Sequence, residues 1–432
     1  TVPMLPEKLS NDLCSLRPNE EKLTFSAIFE LDDEAKVINE WFGRAVILSD
    51  RRFTYEEAQN VIEGKSPDEP LKDAVLTLDR LAKKLRADRF KHGSIGFERD
   101  EAKFVLDENG KPLSVYFKEI KDSNQLIEEF MLLANRKVAE FIGRKRPGQR
   151  TERTFVYRIH DKPNEEKFAS FKTFITRFGY NFKAEKGKAV AKELTKLLTT
   201  IKGRKEENLI STLAIRSMAK AVYSTTNIGH YGLAFDYYTH FTSPIRRYPD
   251  MMVHRLLQHY LDGGKSEDKE TYEKLCDHSS AMEIRAAEAE RASIKYKMVE
   301  FMEDKLGQEF DGSISGVTDW GIYVELNDTK IEGMVSLRDM TDDYYAFDSE
   351  NYAVVGHTTG RRFTLGDEVR IRIKRADLTR KQLDFEMVGA IDFHTRKLDR
   401  LPQPTSTSNE WGASPAEARQ AARGGKSRSR GG

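Results

Sequence analysis

From Leu23 to Leu31 apolar and polar residues alternate, Leu-Thr-Phe-Ser-Ala-Ile-Phe-Glu-Leu, and after the turn signal Asp32-Asp33-Glu34 a second run, Lys36-Val-Ile-Asn-Glu-Trp-Phe42, follows. A period of two broken by a polar turn predicts a β-hairpin. The spacing then lengthens: Leu71, Val75, Leu78, Ala82 and Leu85 fall on one helical face, and Ile127, Phe130, Met131, Ala134, Val138 and Phe141 mark a long buried helix. Between them, Phe104-Val-Leu106 and Ser114-Val-Tyr-Phe117 read as short strands joined by Asp107-Glu-Asn-Gly110. This order describes a mixed α+β domain. Past Met298, Phe301 and Met302 the text becomes short strands punctuated by glycine, as in Gln308–Val317, Gly321–Leu326, Gly333–Leu337 and Asp367–Lys374, which suits a small all-β barrel. The expected organisation is a domain over residues 1–303, a barrel over 304–390 and a disordered basic tail over 391–432, with no internal repeat.

Length and composition refine this picture. A chain of 432 residues exceeds one ordinary core, and 38% hydrophobic residues keep disorder local. Neither an apolar run of about 18 residues nor a signal peptide is legible, so a soluble, cytoplasmic, membrane-free protein is expected. Cys14 and Cys276, far apart, exclude a disulfide framework and a thiolate zinc cluster. With Lys+Arg at 71 against Asp+Glu at 70, attraction to nucleic acid must come from local patterning. The chain opens in Pro-rich text without an initiator methionine, which reads as a piece of something longer.

Chemistry is densest from His230 to Arg255, through His230-Tyr-Gly-Leu-Ala, Tyr238-Thr-His-Phe-Thr-Ser-Pro-Ile-Arg-Arg-Tyr-Pro-Asp250 and Val253-His-Arg255. Thr242 or Ser243 can cap a helix with Pro244 at its first position, which puts Arg246 and Arg247 in the first turn. Cations oppose the macrodipole there unless an anion joins them, and a phosphate suits free N–H groups and a planar guanidinium. Two arginines on a solvated helix start are the plain alternative. Tyr231, Phe235, Tyr237, Tyr238, Phe241 and Tyr248 favour the first reading, because aromatic faces beside arginines hold single-stranded nucleic acid.

That stretch resembles the signature of the ribonuclease II/ribonuclease R family of 3′-5′ exoribonucleases, nearest its ribonuclease R branch. Pro3-Met-Leu-Pro-Glu-Lys-Leu-Ser-Asn-Asp-Leu-Cys-Ser-Leu-Arg-Pro18 and Ile127-Glu-Glu-Phe-Met-Leu-Leu-Ala-Asn135 resemble two further family motifs in the expected order. The resemblance spans roughly residues 1 to 390. It implies a ribonuclease II-type catalytic domain followed by a ribosomal-S-one-type OB-fold domain, and magnesium-dependent, processive hydrolysis of RNA to nucleoside 5′-monophosphates in RNA turnover. Arg246 matches the arginine that stabilises the phosphate, and Arg247 a basic position gripping an adjacent one. Tyr55 and Glu128 match positions contacting the 3′-terminal nucleotide, Phe97 the aromatic stacking on terminal bases, and Glu290 an acidic RNA-contacting position. Each has a plainer alternative: Tyr55 a surface tyrosine, Phe97 a core residue, Glu128 a solvated neighbour of Ile127. Glu290 precedes Ile294 and Met298 by +4 and +8, and a carboxylate on such an apolar stripe is expected to have a partner.

The family's four magnesium-binding aspartates lie upstream of the Pro-Met-Leu-Pro motif, so no metal ligands are expected in this chain. Glu30-Leu-Asp32-Asp33 is read as a hairpin turn. The aromatic facing Phe97 and the cold-shock-type domains are expected upstream too, which makes this the carboxy-terminal part of such an enzyme. In the barrel, Phe310, Trp320, Tyr323 and His357 are candidates for stacking. Arg370, Arg372, Lys374 and Arg375 alternate with apolar residues, which predicts one cationic face tracking phosphates, or else a solvated strand. Arg419, Arg423, Lys426, Arg428 and Arg430 would tether RNA or merely solubilise. The partner expected is single-stranded RNA or the 3′ end of a structured one, bound by a monomer. A non-catalytic RNA-binding protein retaining the nuclease scaffold, and a translation or transcription factor using the barrel alone, are the rival readings.

Overall fold

A computed structural model describes residues 4–66, 68–96, 101–144, 152–176, 178–184, 188–204, 206–349 and 353–390. The chain divides into two units, Thr1–Ile391 and Asp392–Gly432. The second, with the tail cations Arg419, Arg423, Lys426, Arg428 and Arg430, lies outside the described residues.

The first alternation folds as expected into the antiparallel pair β1 (Glu21–Leu31) and β2 (Val37–Leu48). Asp32 makes the turn, its Oδ1 accepting from the Glu34 and Lys36 N–H groups at 2.9 and 2.8 Å. Phe25, Ala27 and Phe29 face the core, where Phe42 is buried. Helix α1 (Tyr55–Ile62) begins with a capping box: the Thr54 hydroxyl accepts from Glu57 N–H, and Glu57 accepts from Thr54 N–H. Helix α2 (Lys72–Lys91), the hairpin β3 (Glu101–Leu106) and β4 (Pro112–Lys118), and the long α3 (Asp122–Gly143) follow.

The buried face of α3 departs from the predicted one. Leu126, Glu129, Leu132, Leu133, Asn135, Val138, Ala139 and Ile142 are buried, whereas Ile127 is exposed and Phe130, Met131 and Phe141 only partly covered. A stripe phased on Leu126 exposes what a stripe phased on Ile127 hides: two polar residues, Glu129 and Asn135, inside an apolar layer.

Strand β5 (Tyr157–Ile159) pairs with β6 (Val222–Ser224), and between them lie α4 (Glu165–Thr176), α5 (Lys188–Ile201) and α6 (Glu207–Ser217). Phe168, Phe171, Ile175, Leu194, Ile201 and Ile210 form their core, a helical layer absent from the sequence expectations. Helices α7 (Tyr248–Leu261) and α8 (Lys269–Glu303) lead to the barrel.

Strands β7 (Glu309–Val317), β8 (Gly321–Leu326) and β9 (Glu332–Ser336) precede a small antiparallel sheet of β10 (Tyr345–Asp348), β11 (Ala353–Gly356) and β12 (Arg362–Thr364). Strands β13 (Glu368–Asp377) and β14 (Gln382–Ala390) complete a closed barrel in the order β13-β14-β9-β8-β7. Gly333 is required where it stands, because a Cβ there would lie 2.4 Å from the Phe385 ring. Ile314, Ile322, Val324, Val335, Ile371 and Phe385 fill the interior together with Val299, Phe301 and Met302 from α8. The barrel's core therefore reaches back across the 303/304 boundary drawn from sequence. Among the described residues no helix is long and apolar enough to cross a membrane.

Candidate nucleic-acid interface

The stretch from His230 to Phe241 is a loop held on both sides by buried and half-buried polar side chains. His160 Nδ1 accepts from Gly232 N–H at 2.9 Å, so its Nε2–H donates to the Ala219 carbonyl at 2.9 Å. A Cβ on Gly232 would stand 3.0 Å from that Nδ1, which fixes glycine at this turn. Asn135 of α3 accepts from Phe241 N–H at 2.8 Å and donates to the Tyr238 hydroxyl at 3.2 Å. On the other side Arg158 makes a bidentate pair with Glu283 of α8, at 2.5 and 2.9 Å. Burial, followed by the fields of His160 and Arg158, pushes His230 down to about 3. Burial, followed by Arg247 and Arg158, pushes His240 down to about 2. Rings so weakly basic serve as neutral acceptors and spacers, not as bases near pH 7. Tyr238 and Phe241 are buried in this scaffold, which removes them as stacking faces; Tyr248 is half-exposed.

Arg246 and Arg247 do not occupy a helix's first turn. Pro244 to Arg246 form a turn in which the Arg246 and Arg247 N–H groups both approach the Ser243 carbonyl, and Arg247 is the N-cap residue of α7 with Pro249 just inside. Proline permits only one of the two competing starts to become the helix, and the second prevails. The two arginines then diverge. Arg247 donates to Asp250 Oδ1 at 2.9 Å, and Asp250, fully buried, also accepts from Ser243 N–H at 2.7 Å. That carboxylate corrects the expectation of Arg247 as a second phosphate grip. Arg246 is exposed, and among the described residues nothing pairs with its guanidinium.

Tyr55 opens α1, half-exposed, with Lys118 Nζ 5.5 Å from its ring centre. Glu128, on the outer face of α3, receives Arg89 NH2 at 3.4 Å, so it is more than a solvated neighbour of Ile127. Phe97 lies outside the described residues. Ile95 N–H donates to the Gly232 carbonyl at 2.8 Å and Ser94 Oγ donates to the same oxygen at 3.2 Å, so the segment entering residue 97 is tied to the His230 loop. Glu290 breaks expectation: it is exposed, and among the described residues it has no partner. Here α8 runs with little cover, so its apparent stripe buries nothing until Val299.

In the barrel, Trp320 is 73% exposed beside β8. Tyr323 of β8 lines a cleft of about 900 Å³ whose other wall includes Phe171, Phe174 and Arg216 of α4 and α6. Phe310 packs against the core and is no stacking candidate, while exposed His357 follows β11, off the closed barrel. The cationic face of β13 is corrected as well. Arg370 pairs with Asp311 at 2.7 Å, Arg372 with Glu309 at 2.7 Å and Glu386 at 3.3 Å, Lys374 with Asp339 at 3.0 Å and Arg375 with Asp384 at 2.7 Å. For the three arginines register explains it: β7 and β14 set Asp311, Glu309, Glu386 and Asp384 directly across from them, while Asp339 reaches Lys374 from beyond β9.

Magnesium takes several oxygen ligands, carboxylates foremost. Among the described residues no three His, Cys, Asp or Glu side chains converge to hold a metal, and the residues present do not fit that ion. Asp33 and Glu34 instead pair with Arg80 and Lys84. Sequence reading overlooked Arg89, Glu129, Asn135, His160 and Asp250, all of which position the site. For Glu129 and Asn135 the signal was the phase of α3.

A family model described as "RNB domain" matches residues 1–263, and one described as "S1 RNA binding domain" matches residues 303–387. The chain is similar to ribonuclease R of Aquifex aeolicus, 38% identical over 402 residues that cover 90% of this chain and 56% of that protein. It spans about half the length of the curated relatives it matches. Among solved structures it resembles Mycoplasma genitalium RNase R in complex with ribose methylated single-stranded RNA, with TM-score 0.81, 26% identity, and coverage of 90% of this chain and 61% of that one. It also resembles yeast Ssd1, a pseudonuclease, with TM-score 0.64, 25% identity, and coverage of 82% and 43%.

Proposed function

Because the chain belongs to the RNB-domain family and carries an S1 RNA-binding domain, we propose that it is the RNA-holding and phosphate-stabilising part of a 3′-5′ exoribonuclease of the ribonuclease R type. The observation that carries this reading is the contrast between neighbours: Arg247 is committed to buried Asp250, while Arg246 beside it is exposed and, among the described residues, unpaired. A guanidinium with no carboxylate partner among the described residues, carried on a hydrogen-bonded turn, can meet the growing charge on a scissile phosphate. Tyr55, Glu128 and Phe97 receive the 3′-terminal nucleotide, and Glu290, exposed on α8, meets the strand as well. Trp320 and Tyr323 stack on bases in the barrel. Arg372 and Lys374, held by Glu309 and Asp339, add little to that grip. The partner is single-stranded RNA or the 3′ end of a structured one, bound by a monomer in the cytoplasm.

The test uses the protein as its gene encodes it, with magnesium supplied and a 5′-labelled oligoribonucleotide. Stepwise shortening from the 3′ end with release of nucleoside 5′-monophosphates supports the reading. The likeness to yeast Ssd1 favours a second reading, an RNA-binding protein on the nuclease scaffold. Tight RNA binding with no nucleotide released would establish that one instead.

A further inference from the structure

We infer that Arg89 is a positioning residue for Glu128, holding its carboxylate for the ribose of the 3′-terminal nucleotide. This rests on the reading of Glu128 as a contact to the 3′-terminal nucleotide. Arg89 lies in the last turn of α2 and is 6% exposed. Its Nε donates to Glu129 Oε2 at 3.3 Å, its NH2 to Glu129 Oε1, and its NH1 to Ser94 Oγ at 2.9 Å. Glu129 is 3% exposed and has Arg86 as a second cation at 3.7 Å. Two buried carboxylate oxygens thus fix the plane of the guanidinium, as a bidentate fork does. The NH2 that binds Glu129 also reaches Glu128 Oε1, at 3.4 Å.

Glu128 itself is 48% exposed. An exposed glutamate with its own rotamer freedom would sample several directions. Anchored through one oxygen, it can present the other to a ribose hydroxyl in one direction. The same guanidinium holds Ser94, whose hydroxyl continues to the Gly232 carbonyl, so Glu128 and the segment entering residue 97 share one buried support. Lysine carries the charge but not the fork, and cannot hold Glu129, Ser94 and Glu128 at once.

The experiment measures Kd in excess chelator, where no cleavage occurs, for an oligoribonucleotide ending in ribose and for the same oligomer ending in 2′-deoxyribose. The natural protein should prefer the ribose end by about tenfold or more, the worth of one hydrogen bond to a charged acceptor. Arg89→Lys should cut that preference below about threefold, and Glu128→Gln should abolish it. A merely structural role would weaken both oligomers alike and leave the ratio untouched, which overturns the inference. Should Arg89→Lys fail to fold, the double variant Arg89→Gln, Glu129→Gln decides, because it leaves no buried charge unpaired. Folded by circular dichroism, it should lose the preference; retaining it overturns the inference. Preference kept in the Arg89 variants but lost in Glu128→Gln overturns the positioning role alone. Preference kept in Glu128→Gln overturns the reading of Glu128 and the inference with it.

Discussion

Two adjacent arginines of one motif have opposite employment, and their substitution should separate cleanly. Arg246→Ala removes a donor that nothing among the described residues uses, so turnover on an oligoribonucleotide should fall about 10²–10³-fold, with Kd for RNA nearly unchanged. Arg247→Ala strips buried Asp250 of its cation. Denaturant unfolding should show a loss of about 3 kcal/mol there and almost none for Arg246→Ala. Titration offers another check. The folded-state values of His230 and His240 lie far below their ordinary 6.5. Between the two values the unfolded chain binds more protons. Their contribution is therefore intact above about pH 6.5 and lost as pH falls toward 3, by about 1.4 kcal/mol per pH unit for each ring. Urea midpoints at pH 7 and pH 5 would measure it, and a midpoint that rises on acidification would contradict the buried neutral rings. None of this was readable from the motif alone, in which both arginines look alike; their difference comes from Asp250, one helical turn further on, and from which proline starts the helix.

Single elements were most legible where one period governed them. The β1–β2 and β3–β4 hairpins stand where alternation and turn residues put them. The α3 stripe was placed one residue out of phase, because its apolar residues occupy more than one face and only tertiary packing selects the buried one. Helices α4 to α6 went unnoticed although Phe168, Phe171 and Ile175 recur at helical spacing. On β13 the alternation of cations was read correctly, yet a strand's charge belongs to its neighbours too. This has a measurable consequence: Lys374, already neutralised by Asp339, should contribute little counterion release. Lys374→Ala should change the slope of log K against log salt by clearly less than the roughly 0.9 per free phosphate contact seen with nucleic acids in general. Trp320→Ala should instead weaken RNA binding by about 1–3 kcal/mol, as the loss of one stacked base does. Its thermal midpoint should stay put, since the ring is 73% exposed.

Across the whole molecule, composition and punctuation sufficed to separate an α+β part from a barrel, but not to show how the two are joined. Val299, Phe301 and Met302 belong to the barrel's core while Cys276, on the same helix, is buried with residues of the first domain. A chain ending at residue 303 would leave those three side chains without cover, and it should aggregate where one extending to 390 stays dispersed in light scattering. Between its two anchored ends, α8 is largely bare from Met282 to Tyr296. Its length and helical phase set how the residues at its two ends face one another. One residue added midway would swing everything downstream by about 100° and push it about 1.5 Å along the axis, whereas seven would return the bearing to within about 20°. An RNA strand held by both parts, as proposed for this chain, would meet its two holders at a fixed dihedral, and a one-residue insertion should uncouple them while each, taken alone, stays intact.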